Sequence, residues 1–164
     1  MKDDRLARAN ALAFLKRHRT GVLATTGSDN TPHASTVHYF ADDDFNIYFL
    51  TLINSRKFKA LSAHPRVALV VSTEEVPQTL QLEGMASNVS LDEKVAKKKN
   101  KLFEILNSNP LFYGPITKLD PADRAIVWIR PAWIRWADYA FSPSGTDHVF
   151  TEMTPTQQSS GNHE

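Results

Sequence analysis

The chain contains no cysteine among its 164 residues. That excludes disulfides, thiolate metal centres and a cysteine nucleophile. It has no excess of either charge: 19 Lys and Arg stand against 18 Asp and Glu, a formal net charge of +1. Such a balance argues against a nucleic-acid surface and against attraction to an anionic membrane. Long apolar runs are also missing, and the opening Met1-Lys2-Asp3-Asp4 is polar. Neither a spanning helix nor a secretory leader is therefore expected, and a cytoplasmic location follows as an expectation. The six histidines, His18, His33, His38, His64, His148 and His163, show no i, i+4 ligand pair, so no metal site is expected. His33 and His38 are an odd step apart and fall on opposite faces of a flat strand.

What is present is ordinary for a globular chain: 41% hydrophobic and 23% charged residues, in a length suited to one domain. Asp3 or Asp4 can cap a first helix running to about Arg19, with Lys16, Arg17 and Arg19 at its C-terminal end. Thr20 to Thr26 and Pro32 to Phe40 read as strands joined by a Gly27-Ser28-Asp29-Asn30 turn. Asp42-Asp43-Asp44 leads into a third strand, in which Phe45, Ile47, Phe49 and Thr51 alternate with Asn46, Tyr48 and Leu50. Val67 to Val71 is a fourth strand and Thr79 to Val89 a fifth, with Gly84 marking a bulge or a close approach. Ser90 and Glu93 have capping-box spacing for a helix over Leu91 to Leu106. Its lysines, Lys94, Lys97, Lys98, Lys99 and Lys101, read as the solvent side of a core face made by Val95, Leu102, Phe103 and Leu106. A loop follows from Asn107 to Ala122. Arg124 to Arg130 and Ala132 to Ala140 read as two last strands broken by Pro131. From Ser142 the chain turns polar, and 142–164 reads as a disordered tail. Six or seven short strands with few helices predict a mainly β fold, an antiparallel barrel with flanking helices.

The most informative stretch is Asn46 to Val71. A strand ending at Thr51 leads to Asn54 and Ser55, whose side-chain oxygens suit an N-cap. Phe58 and Leu61 then follow at helical spacing, and His64-Pro65 ends the helix. Ser55, Arg56 and Lys57 thus sit at a helix start. Unpaired backbone N–H groups, the helix dipole and two cations there suit a phosphate. The same pattern also arises as plain solvated charge.

This stretch resembles the pyridoxamine 5'-phosphate oxidase-like superfamily, the FMN-binding split barrels. The matching residues are Thr51, Ser55-Arg56-Lys57, Pro65-Arg66-Val67 and Leu69 to Val71, preceded by Pro32-His33-Ala34-Ser35-Thr36-Val37. The close match covers Thr31 to Ser72, and a looser one runs to about Tyr139. The resemblance implies a six- to seven-stranded split barrel over 1–141 and a homodimer with flavin at the subunit interface. It implies FMN as cofactor, with F420 or haem in other branches. It assigns the FMN phosphate and ribityl side to Thr51, Ser55, Arg56 and Lys57, with Leu50 beside them on the strand. The backbone of Ser35, Thr36, Val37 and His38 would lie along the ring. Gln81, or Thr79 two residues away, would reach the ring, and Trp136 would pack beside the flavin of the neighbouring subunit. For Trp128 and Trp133, core or interface packing is the better reading.

Two departures limit what is implied. The oxidase proper has an Arg and a Lys where this chain has Ser35 and Phe40. It also ends in an Arg-x-His-Asp-Arg element, where this chain reads Ala137-Asp138-Tyr139-Ala140-Phe141 after Trp136. The vitamin B6 oxidase itself is therefore not expected. The expectation is an FMN-dependent oxidoreductase acting on a small molecule, with no catalytic side chain identified. A non-catalytic flavin, F420 or haem binding protein is the other reading.

Overall fold

The computed structural model describes residues 4–108, 118–141 and 149–155. Helix α1 (Asp4–Arg17) buries Ala7, Ala11, Phe14 and Leu15 on one stripe and ends on Lys16 and Arg17, where the dipole favours cations. It stops two residues before the predicted end. Arg19 has already joined the sheet, its carbonyl accepting the Tyr39 N–H at 2.9 Å.

Strands β1 (Thr20–Thr26) and β2 (Pro32–Ala41) form the expected hairpin. Strand β3 (Ile47–Leu52) begins later than the alternation suggested. Phe45 is a turn residue with φ 65°, because the Asp42 carboxylate collects the N–H groups of Asp44 and Asn46 at 2.9 and 3.0 Å. Its ring is nevertheless fully buried. Helix α2 (Arg56–Ala63), β4 (Arg66–Thr73) and β5 (Gln78–Asn88) follow. A single 3-10 turn, Glu93–Val95, leads into α3 (Ala96–Asn107).

The expected Ser90 cap is not made. Asp92 caps the 3-10 turn by accepting the Lys94 N–H at 2.9 Å, while Ser90 Oγ accepts the Ile126 N–H at 3.0 Å and ties the loop to the sheet. As predicted, Leu102 and Leu106 are buried and Phe103 packs on the same side of α3, against Tyr48, Val89 and Ile126, with Val95 of the preceding 3-10 turn in the same cluster. Its lysines are only partly a solvated face: Lys98 reaches the buried Asp42 carboxylate at 3.1 Å.

The two last strands are one, β6 (Arg124–Asp138), continuous through Pro131. Six antiparallel strands in the order β3-β2-β1-β4-β5-β6 close into a barrel through the β3–β6 pairing. The core is the inward row of every strand, including Leu23, Val37, Phe49, Leu69, Leu82 and Val127, joined by Phe14 and Leu15 of α1.

Gly84 makes the continuity of β6 possible. Between Glu83 and Gly84 the β5–β6 register shifts, so Glu83 faces Trp133 while Gly84 faces Pro131, and Ala132 is the extra residue of a bulge. A Cβ on Gly84 would lie 2.3 Å from the Arg130 carbonyl oxygen. That neighbour is backbone and cannot swing aside. Gly84→Ala is expected to cost about 1–3 kcal/mol, the range for overpacking. Thermal unfolding monitored by circular dichroism checks this; an unchanged melting temperature would show that the two strands can part without cost.

The segment expected to be a structureless tail contains a seventh strand, β7 (Phe150–Met153), paired with Ile134–Ala137 of β6. Val149 and Thr151 are buried and Met153 packs on the core. The composition misled because four residues suffice when an existing edge supplies the hydrogen bonds. The rest of the expected tail, and most of the Asn107 to Ala122 loop, lie outside the described residues. Among the described residues no helix is long and apolar enough to cross a membrane.

Candidate functional site

The strongest concentration of polar chemistry lies where β3 ends and α2 begins. Thr51 is buried at the end of β3, and its Oγ1 lies 3.1 Å from Ser55 Oγ. Ser55 has φ −68° and ψ 151°, an extended cap conformation, and its Oγ accepts the Phe58 N–H at 3.2 Å. This is the N-cap predicted from the sequence. The N–H groups of Arg56 and Lys57, in the first turn, have no intrahelical carbonyl to bond. The dipole adds a partial positive charge at the same point, and the Arg56 and Lys57 side chains add two full ones.

Lys57 is half-buried, and burial lowers the pKa of its ammonium. Among the described residues it has no acceptor. A cation partly removed from water without a counter-ion is costly, and an anion placed beside it recovers that cost. Arg56 is more exposed. Its Nε donates to His33 Nε2 of β2 at 3.1 Å. The sheet therefore brings Thr51, Ser55, Arg56 and Lys57 together as expected, and adds His33, which the sequence pattern did not assign to the site. His33 stands within the Pro32–Val37 segment, but nothing in its spacing links it to a residue 23 positions on. The antiparallel pairing of β2 with β3 does that, by setting the start of β2 alongside the end of β3 and the helix start that follows it.

The other expected residues are distributed as follows. Ser35 is half-buried beyond His33 on the same side of β2, Thr36 is exposed on the outer face, and Val37 is in the core. His38 is half-buried, its Nδ1 lies 3.0 Å from Thr20 Oγ1, and desolvation lowers its pKa. Leu50 packs on the α3 side of β3. Gln81 is exposed on the outer face in one row with Thr36, Val22 and Val70. It stands three strands from Thr36, about 14 Å at the usual strand spacing. Thr79, two residues earlier, is half-buried on the same face.

Trp136 stands apart from all of these. It is 3% exposed, in the core, with its ring 4.9 Å from that of Phe14. Within this chain the indole turns inward and packs in the core. The cause is the bulge: Val127, Ile129 and Pro131 are buried before it, Ile134 and Trp136 after it, so the inward parity changes by one. Trp128, by contrast, stacks on Tyr48 and donates its Nε1–H to Asn46 Oδ1 at 3.0 Å, the packing role expected of it.

A second polar concentration lies in a cleft away from the Ser-Arg-Lys end. It has a volume of about 630 Å³ and is lined by Arg17, His18, Arg19, Thr20, Ser72, Ile105 and Ser108. Burial and the neighbouring Arg17 lower the pKa of His18 there. Thr20 joins this cleft to His38. His33 and His38 are five residues apart on β2, about 17 Å in an extended strand. The cationic helix start and the cationic cleft thus lie towards opposite ends of β2, with His33 on its inward side and His38 on its outer face.

Comparison with known proteins agrees with the fold. The family model described as pyridoxamine 5'-phosphate oxidase matches residues 7–157. The chain belongs to the pyridoxamine 5'-phosphate oxidase family. A pyridoxine/pyridoxamine 5'-phosphate oxidase of Burkholderia lata is 33% identical over 90 residues, covering 55% of this chain and 42% of that one. The chain thus matches less than half the length of that relative. Among solved structures, a pyridoxamine 5'-phosphate oxidase-related, FMN binding protein from Nostoc punctiforme superposes with TM-score 0.61 at 16% identity, covering 94% and 97% of the two chains. A heme binding protein from Mycobacterium smegmatis gives TM-score 0.69 at 18% identity, covering 90% and 57%. An F420 reductase gives 0.56 at 25%, covering 74% and 93%. These likenesses confirm the split-barrel fold. The three proteins are named for different cofactors: FMN, heme and F420.

Proposed function

We propose that the protein binds FMN and acts as a flavin-dependent oxidoreductase on a small molecule. The observation that carries this reading is Lys57: a half-buried ammonium without an acceptor among the described residues, at a capped helix start beside Arg56. The group that best completes such a place is a phosphate, held by charge-assisted bonds from both side chains and by the free N–H groups. Ser55 Oγ is within reach of Thr51 Oγ1, so either hydroxyl is free to turn its proton outward. FMN and F420 carry a phosphate and haem does not, so the site favours the first two. The bound flavin supplies hydride and electron transfer; the chain's part is to anchor and orient it.

The exposed face of the barrel supports a second copy as partner. Ala24 lies between Ala34 and Ala68, and Val22, 43% exposed, lies between Thr36 and Val70. Small apolar side chains make this surface flat, which suits both an aromatic ring and the same surface of another chain. The cleft beyond His38, with Arg17 and Arg19 on its wall, suits an anionic substrate.

An absorption spectrum of the purified protein tests the cofactor. A band near about 450 nm is expected for FMN, against about 420 nm for F420 and about 400 nm for haem. Bleaching of that band by a nicotinamide donor is expected if the protein turns over. A haem spectrum would overturn the phosphate-anchored reading. Light scattering at micromolar concentration is expected to give twice the chain mass; a monomer would remove the shared-interface site.

A further inference from the structure

We propose that His33 is the positioning residue of the phosphate site: its Nε2 lone pair fixes the Arg56 guanidinium over the start of β2. This rests on the phosphate reading above and names a residue which that reading does not require. Arginine has a long side chain with many rotamers, and Arg56 is exposed. Left alone, it would spend most of its time in solvent. The bond from Arg56 Nε to His33 Nε2, at 3.1 Å, removes that freedom. It engages Nε, which gives up the side-on fork but leaves the end-on one. The two terminal nitrogens stay available as a pair for phosphate oxygens. An imidazole that accepts at Nε2 carries its proton at Nδ1, so the contact also sets the His33 tautomer.

The imidazole is itself held. His33 is paired with Thr25 in the β1–β2 ladder, which fixes its backbone. The adjoining turn is shaped to leave the ring room. A Cβ on Gly27 would lie 3.2 Å from His33 Nε2 and 2.9 Å from Asp29 Oδ1. The Asp29 carboxylate accepts the Thr31 N–H at 3.0 Å, the main reason its pKa is lowered, so it is held back on the turn. Thus β2 carries the acceptor, the turn makes the space, and α2 brings the cation. Together they pre-organise one half of the phosphate grip before the ligand arrives.

The test compares FMN with riboflavin, which lacks the phosphate, by fluorescence titration of the full chain. His33→Ala is expected to weaken FMN about five- to tenfold and to leave riboflavin unchanged, less than the loss of a whole charge-assisted contact because Arg56 is released and not removed. His33→Gln, whose amide oxygen can still accept, is expected to stay within about twofold of the parent for FMN. In an Arg56→Ala background, His33→Ala is expected to add nothing, because the positioned group is already absent. Additive losses would overturn the positioning role. So would an unchanged FMN affinity in His33→Ala while Arg56→Ala weakens FMN; the phosphate reading would then stand without it. If Arg56→Ala leaves FMN unchanged, the phosphate reading fails and the role of His33 fails with it. Equal weakening of FMN and riboflavin by His33→Ala, without rescue by His33→Gln, would assign His33 to the fold.

Discussion

Replacing Arg56 and Lys57 together with alanine is expected to weaken FMN binding by about two orders of magnitude or more, and riboflavin binding far less. The expectation follows from the chemistry at the start of α2. A hydrogen bond to a charged group contributes about 1.5–3 kcal/mol, and two such contacts are removed. Each 1.4 kcal/mol is a factor of about ten in affinity. Riboflavin shares the ring and the ribityl chain but has no phosphate for these cations to hold. The fold should survive. Helix α2 keeps its Ser55 cap and its buried Ala60 and Leu61, none of which the substitutions touch. Removing Lys57 also removes a half-buried ammonium without an acceptor among the described residues, so the ligand-free protein loses nothing there and can gain. Stability without ligand and affinity for FMN should therefore move independently. Parallel titrations with FMN and riboflavin, with melting curves on the apo protein, check all three statements. An unchanged FMN affinity would end the phosphate assignment. Equal weakening of both ligands would show that the charges hold the site's shape.

The Ser-Arg-Lys helix start was legible in the sequence because it is local. An N-cap, a first turn and the apolar i, i+3 pair Phe58 and Leu61 involve neighbours in the chain, and their geometry is nearly the same in every fold. Strand β1 was legible for the same reason: Gly21, Leu23 and Thr25 alternate inward as the pattern requires. What sequence could not show depends on distant partners. Ser90 has the right spacing for a capping box, yet its hydroxyl serves Ile126, 36 positions away. Strand β7 has only four residues and little apolar character, and exists because the edge of β6 receives it. His33 joins the site only once β2 lies beside the start of α2. In each case the deciding neighbour is supplied by the pairing of strands, which the residue's own local window does not contain.

The face taken by Trp136 is the sharpest instance, and it yields the prediction with the largest effect on stability. Read as a flat strand, β6 would place Trp136 on the same side as Trp128, outside the barrel interior. One extra residue at Ala132, opposite Gly84, reverses that parity and turns the indole inward. Trp136 then meets Phe14 of α1 at 4.9 Å and joins the cluster that contains Leu80 and Ile134. Truncating a buried tryptophan to alanine costs about 3–5 kcal/mol, from lost burial and from the cavity left behind. For a domain of this size that corresponds to a fall in melting temperature of about 6–20 °C. Trp136→Ala is accordingly expected to destabilise the protein more than Gly84→Ala does. Trp136→Phe keeps most of the volume and should lose much less. The FMN affinity of the folded fraction should stay within a few-fold of the parent in both tryptophan variants, because the ring faces the core and not the outer surface of β2. Differential scanning calorimetry of the apo protein, with FMN titration well below the transition, separates the two roles. A small change in melting temperature together with a large loss of FMN would return Trp136 to the cofactor site. It would also mean that the bulge does not set its orientation in the ligand-bound protein.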